Sequence, residues 1–370
     1  MFDFISVNNY THYFYVAVLV LVLITFVQCQ RGVVLNKSVV NINAGFGFLV
    51  AFLLIFYIGQ RPLSAEFGDT MNYVEGYQRM ANTPFKWSWN SDFLFYNLMH
   101  WFSHIYSIHE FFTFCAFLYV FPMWLAMQRI FKSYYFIPFL VVLCMFTFWE
   151  YGVNGVRNGI ASSFFILALS YINNIPVTIL LCLLSIGFHK SMTLIVAAAV
   201  LTWFVENSNY YLAAWLGVIP ISYVWGDRIQ SYVAGLNILG EGEERLSQYL
   251  TYTREQMISD GYIVEMSFRW DFILYSALGV VVGYYFIFRR NFKDEYYHWI
   301  YNTFLLANAI WILIIRVAYS NRFAQISWFI MPLVLIYPFM KKRFWINHEK
   351  MLGYAILAFY AFAFYQNILK

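Results

Sequence analysis

The sequence predicts an all-α polytopic membrane protein with about 12 transmembrane helices, 11 being the alternative. Three observations carry that prediction. The chain of 370 residues is 62% hydrophobic and 11% charged, where a soluble domain carries roughly 25% charged residues. Its mean hydropathy is +0.60. Long apolar runs recur along it, and clusters of Lys and Arg follow alternate runs directly. Aromatic residues reach 23%, with 40 Phe and 31 Tyr, enough for interfacial belts and for packing inside.

A span needs about 20 mostly apolar residues. Runs of that kind occupy 13–29, 42–58, 109–128, 134–150, 157–173, 210–226, 270–288, 297–315, 323–340 and 351–368. Two shorter runs, 176–188 and 191–205, are split by His189-Lys190-Ser191. A single helix there would be long for a membrane, so the spacing predicts a helix pair, or a broken helix, with His189 at the turn. The first 12 residues hold no Lys or Arg and no small-residue cleavage site follows, so the first run is read as a span and not a signal peptide. The whole chain, 1–370, reads as one transmembrane domain.

Lys and Arg in short loops favour the cytoplasmic side. Arg31 and Lys37, Arg129 and Lys132, Arg289, Arg290 and Lys293, and Lys341, Lys342, Arg343 and Lys350 then lie inside. Two long loops, 59–108 and 227–269, fall outside. In the first, Asp69, Tyr73 and Tyr77 recur at helical spacing, and 92–108 reads as an amphipathic helix lying in the interface. The second is the most polar stretch, with Glu241-Gly242-Glu243-Glu244-Arg245 read as mobile and solvated. Arg61, Arg157, His189, Arg316 and Arg322 fall on this same outer face.

A guanidinium is always charged and grips phosphate oxygens with two parallel bonds. One such residue alone pairs with a carboxylate or a carbonyl, or snorkels to the headgroups. Several together point to an anion, because carboxylates are scarce around Arg157, Arg316 and Arg322. Glu150 is the sole one near Arg157, and none occurs between Glu295 and Glu349. At a membrane mouth the natural multiply charged anion is a lipid phosphate or diphosphate. His189 at a helix break suits a general base or a donor to phosphate. Asp69 is the rival base, and Glu66 reads as a salt bridge to Arg61 or Arg79 or as a loop cap. His100, His104 and His109 read as interfacial. Cys29, Cys115, Cys144 and Cys182 lie in or beside apolar runs without metal-ligand spacing, which argues against a disulfide framework or zinc site. The chain has no P-loop and no Asp-x-Asp pair, so no cofactor, metal or nucleic acid is expected.

These pieces resemble the EpsG-like and Wzy-type repeat-unit polymerases of bacterial surface polysaccharides. The resemblance rests on Arg61 followed by Gly68-Asp69 and Tyr73, then Asn154-Gly155-Val156-Arg157-Asn158-Gly159-Ile160-Ala161 at the head of a span. Phe188-His189-Lys190-Ser191 comes next, and Asn321-Arg322-Phe323-Ala324 leads into a span containing Pro332. It covers nearly the whole chain. It implies a metal-independent, inverting glycosyltransferase of the polytopic GT-C type in the bacterial inner membrane, its active site facing the periplasm. The substrates would be undecaprenyl-diphosphate-linked oligosaccharides, and the partners membrane lipids and a chain-length regulator protein. The growing glycan would pass to the non-reducing end of a new lipid-linked repeat unit.

Arg157, Arg322, Arg316 and Arg61 are then expected at the diphosphates, with Arg322 fitting the family position better than Arg316. Asp69 or His189 is the base, and Tyr73, Tyr77, Trp87 and Trp89 are candidate sugar-stacking rings. An O-antigen ligase shares the donor, but ligases gather their signature in one late loop. A flippase for lipid-linked saccharide would want mid-membrane charges and paired interrupted helices.

Overall fold

The computed structural model describes residues 5–235, 268–316 and 320–365, and among these it contains helices and no strand. Most of the expected loop 227–269, including the Glu241-Arg245 segment, lies outside the described residues. In chain order the helices are α1 (Val7–Gln30), α2 (Lys37–Gly59), α3 (Thr70–Ala81), α4 (Phe93–Ser103), α5 (Ile108–Phe131), α6 (Phe136–Leu143), α7 (Phe146–Val153) and α8 (Val156–Ser170). They continue with α9 (Ile175–Phe188), α10 (Met192–Phe204), α11 (Ser208–Gly235), α12 (Trp270–Tyr284), α13 (Glu295–Leu313), α14 (Asn321–Trp328), α15 (Met331–Lys341) and α16 (His348–Phe364).

Among the described residues five stretches are long and apolar enough to cross a membrane: Val7–Gln30, Lys37–Gly59, Ile108–Leu143, Trp270–Arg289 and Arg322–Lys341. Val156–Ser170, Ile175–Phe188 and Met192–Phe204 are shorter apolar helices. The chain is thus a helical membrane protein, built with more breaks than the hydropathy pattern suggests. The run 134–150, expected as one span, is two short helices parted at Cys144 and Met145, where Met145 is extended at φ −79° and ψ 133°. The run 323–340 is likewise divided between α14 and α15. The split at His189 is present: α9 ends at Phe188 and α10 begins at Met192.

Local chemistry explains several helix starts. Ser107 and Glu110 form a reciprocal capping box at the head of α5, and Asn174 accepts from Val177 N–H at the head of α9, which has proline in its first turn. Such caps satisfy N–H groups that have no partner within the helix. Asp294 does the same for α13.

The chain divides into two compact units, Met1–Lys190 with Phe339–Lys370, and Ser191–Pro338. The core of the first is α5 against α2 and α8, with α8 also against α9. Its C-terminal helix α16 packs on α1, where Tyr360 donates to the Tyr15 carbonyl at 2.6 Å. The second unit centres on α13. There Asn308 donates to Ser276 and Ser327, each at 2.9 Å, and accepts from the Trp215 indole at 2.8 Å. A buried amide with its bonds met in this way fixes the register of the helices it joins.

Candidate active site

The first unit gathers most of the chemistry at the ends of α3, α4, α7, α8 and α9. Asn154 closes α7 and ties two motifs together: its side-chain oxygen accepts from Asp69 N–H at 2.8 Å, and its amide donates to Glu150 at 2.6 Å. Gly68 makes the join possible. It has φ +58°, and a Cβ there would lie 2.2 Å from the Asn154 oxygen. Only glycine meets both demands at low cost.

Asp92 is the centre of the arrangement. It immediately precedes α4, in a left-handed conformation with φ 56°, and is 4% exposed. Arg157 Nη1 donates to its Oδ2 at 2.5 Å, and Lys190 N–H to its Oδ1 at 2.8 Å. His189 Nδ1 lies 3.1 and 3.2 Å from the two oxygens. Burial pushes the Asp92 carboxyl up, but His189, Arg157 and the Lys190 N–H outweigh it and hold the group well below the usual carboxylate range. The carboxylate therefore stays ionised and can only accept. His189 Nδ1 then carries a proton, which leaves Nε2 as the second functional nitrogen of the ring.

Arg157 belongs to the first turn of α8, where the helix dipole disfavours a cation, so its place is set by its partners. Besides Asp92 it donates to the Tyr96 hydroxyl at 3.0 Å. It also acts electrostatically on Tyr73, whose phenol burial pushes up against the pull of Arg157. The side chains of Arg157 and His189 remain 17% and 18% exposed, open enough for a ligand to reach. Gly187 lets α4 approach α9, since a Cβ there would lie 2.6 Å from Leu94 and 3.2 Å from Phe93. That approach brings Asp92 to His189.

Arg61 departs from its expected role as a diphosphate ligand. It is 1% exposed. Its nitrogens donate to the carbonyls of Ile58 at 3.0 Å and Val153 at 3.2 Å, and to Thr70 Oγ1 at 3.2 and 3.3 Å. The guanidinium lies 4.1 Å from the Phe112 ring centroid. Burial pushes its pKa down to about 10, so it remains a cation at neutral pH. It clamps the end of α2 to the ends of α7 and α3.

Tyr73 and Tyr77 also point inward, at 7% and 5% exposure. Tyr77 donates to the Tyr106 carbonyl at 2.6 Å. Their ring faces are spent on Phe95, Phe111 and Phe112, which leaves none for a sugar. The exposed rings of the same loop are Phe85, Trp87 and Trp89, the last 76% exposed. Asp69, the rival base, accepts from the Asn72 amide at 3.0 Å and acts electrostatically on Tyr73.

The supposed scarcity of carboxylates near the arginines is corrected twice. Arg157 has Asp92, and Arg316 has Asp227, with Nη1 at 3.2 Å from each of its oxygens, while Nη2 donates to the Tyr223 carbonyl at 2.9 Å. Arg316 and Arg322 belong to the second unit, and Arg322 opens α14 at intermediate exposure. Asp92 is the residue that sequence reasoning missed. One signal pointed to it: it is the single carboxylate between Glu75 and Glu110.

With this geometry in hand, one comparison is decisive. The EpsG family matches residues 45–370. The chain belongs to the EpsG family. Membership makes it a polysaccharide polymerase in broad terms, with glycosyltransferase-like chemistry, and agrees with the membrane-helix character of the fold. The match takes in every residue of the Asp92 cluster and leaves out α1 and the first turns of α2. No curated protein and no solved structure matches the chain.

Proposed function

We propose that this EpsG-family chain joins lipid-linked oligosaccharide repeat units, moving the growing glycan from undecaprenyl diphosphate onto the non-reducing end of a new undecaprenyl-diphosphate-linked unit. The observation that carries the reading is the Asp92 carboxylate held between Arg157 and His189. Asp92 fixes the His189 tautomer, and the free lone pair of Nε2 takes the proton of the attacking sugar hydroxyl. A positioned base of this kind contributes about 10²–10⁴-fold. The hydroxyl oxygen bonds to the anomeric carbon as that carbon's bond to the diphosphate oxygen breaks. The electron pair leaves with undecaprenyl diphosphate, and one displacement inverts the anomeric centre.

Arg157 meets the charge that develops on the leaving diphosphate, the change a preorganised cation stabilises best. Arg322 and Arg316 are further diphosphate ligands in this proposal, and Asp69 orients the acceptor. The reaction is of the GT-C type and needs no metal. It takes place at the periplasmic face of the inner membrane, where the basic-loop pattern puts loop 59–108 and His189.

Purified protein given synthetic undecaprenyl-diphosphate repeat units with chelator present tests this directly. A ladder of products, lost in Arg157→Ala and in His189→Gln at equal fold and expression, supports the proposal. No ladder, together with movement of labelled lipid-linked saccharide across liposomes, would overturn it in favour of a transporter.

A further inference from the structure

Two aromatic ladders face each other within the first unit. Phe48, Phe52 and Phe56 recur every fourth residue along α2, and Phe114, Phe117, Phe121 and Trp124 recur at threes and fours along α5. Those spacings put each set on one helix face. Between the ladders lies a cavity of about 920 Å³. Phe48 and Trp124 close one end, edge to face at 5.6 Å. At the other end Trp101 and Phe102 of α4, with Tyr106, form a roof, and Phe102 stacks on Phe114 at 5.0 Å. An apolar groove of this volume is large enough to seat a hydrocarbon chain.

The polar groups at the roof are already engaged. Gln60 donates to Thr113 at 2.7 Å, and the Glu110 carboxylate accepts from Ser107 N–H at 2.7 Å. What remains inside is almost wholly hydrocarbon. One side is open, with Phe48, Phe52, Phe117 and Phe121 between 37% and 56% exposed. Both α2 and the stretch that begins with α5 are long and apolar enough to cross a membrane, so that open side faces lipid. From Gln60 to Phe48 the groove follows α2 for about 18 Å at ~1.5 Å per residue, more than half of a hydrocarbon core of roughly 30 Å.

We infer that this groove holds the polyisoprenoid tail of a lipid-linked saccharide, which rests on the proposed function above. Its roof helix decides between this tail and a phospholipid chain. α4 offers Trp101 to the groove at one end, and Asp92, with Arg157 and His189, adjoins the other, about 14 Å away along the helix axis. A tail seated in the groove thus delivers an extended diphosphate-sugar head group along α4 to those residues. Glu110 at the roof repels a phosphate that stops there, as that of an anionic phospholipid would. A diphosphate carried on toward Arg157 escapes that repulsion.

Photo-crosslinking tests this. Benzoylphenylalanine replaces Phe52 or Phe117 in the groove, or Leu53, which is 53% exposed on α2 and outside the groove. Each protein, checked by thermal unfolding against the native chain, is placed in nanodiscs of phosphatidylethanolamine and phosphatidylglycerol with added undecaprenyl diphosphate, irradiated, and its adducts are weighed by mass spectrometry. The expected result is undecaprenyl diphosphate enriched about tenfold at both groove positions over Leu53, equivalent to ~1.4 kcal/mol of preference. Phospholipid adducts at all three positions in proportion to the bilayer would overturn the inference, as would no adduct at either groove position while Leu53 is labelled. A product ladder without enrichment sinks the groove and leaves the polymerase reading standing. Enrichment without a ladder does the reverse.

Discussion

Arg61 and Arg157 have the same side chain, belong to the same compact unit and carried the same expectation, yet they do opposite work. Arg61 is sealed among two backbone carbonyls, a threonine hydroxyl and the face of Phe112. Every partner is neutral, so its charge is absorbed where it is made. Arg157 meets a carboxylate shared with a histidine, the Tyr96 hydroxyl, and a route to the surface. Its charge is poised against groups that can titrate or move. An arginine at a span mouth is therefore no evidence of a ligand site until its partners are known, and the identity of those partners separates a clamp from a site.

The largest effect that would break this distinction is on turnover. Arg157→Ala should lower polymerisation by about 10²–10³-fold, the usual cost of removing one stabilising donor at a developing charge. Arg157→Lys keeps a cation for Asp92 but loses bidentate geometry, so it should keep the fold and recover little of the rate. Single-turnover rates on matched, folded preparations decide. Equal rates for native and Arg157→Lys protein would reduce Arg157 to a second clamp.

Arg61→Met should act the other way. It leaves the Ile58 carbonyl without its side-chain donor, at about 1–3 kcal/mol for a buried group, while Thr70 Oγ1 can still donate to the Val153 carbonyl at 3.0 Å. Thermal unfolding should register the loss, while the rate per folded molecule stays near native. A large fall in that rate at unchanged stability would return Arg61 to the site. Gly68→Ala belongs to the same class. A side chain at φ +58° against Asn154 should cost about 1–3 kcal/mol, with the turnover of surviving folded protein reduced less than in Arg157→Ala.

Part of this was legible in sequence for plain physical reasons. Apolar runs and the polar break at His189-Lys190-Ser191 are local signals, and they located most of the helices and the turn that presents His189. Arg157 stood out because an ionisable group beside a span is costly. Other features depend on tertiary register. Asp92 is 65 residues from Arg157 and 97 from His189, and only the packing of α4 on α9 brings them together. The burial of Arg61, Tyr73 and Tyr77 depends on which face α3 turns to the core, and helical spacing alone left that open. The break at Cys144 and Met145 has no glycine or proline to announce it, and an apolar run reads alike whether its helix is continuous or broken.

Asp92 makes the finer test, because one substitution probes both stability and chemistry. Its folded carboxyl titrates below the ordinary value, so the stability it supplies is fully present above the unfolded pKa of about 3.9 and is lost as pH falls below that toward the folded value. Asp92→Asn should thus melt lower than native protein at pH 7, and the gap should narrow below about pH 4. A gap independent of pH would mean that the carboxylate is a packing element and not an ion-pair centre. The smallest effect belongs to Tyr96→Phe, which removes one 3.0 Å bond to Arg157 Nη1 while Asp92 continues to hold that nitrogen. The expected loss is about 0.5–1.5 kcal/mol, roughly two- to thirteenfold in rate. If Tyr96 only orients Arg157, the loss should vanish in the Arg157→Ala background, since the two changes then share one interaction. Additive losses would instead give Tyr96 a contact of its own with substrate.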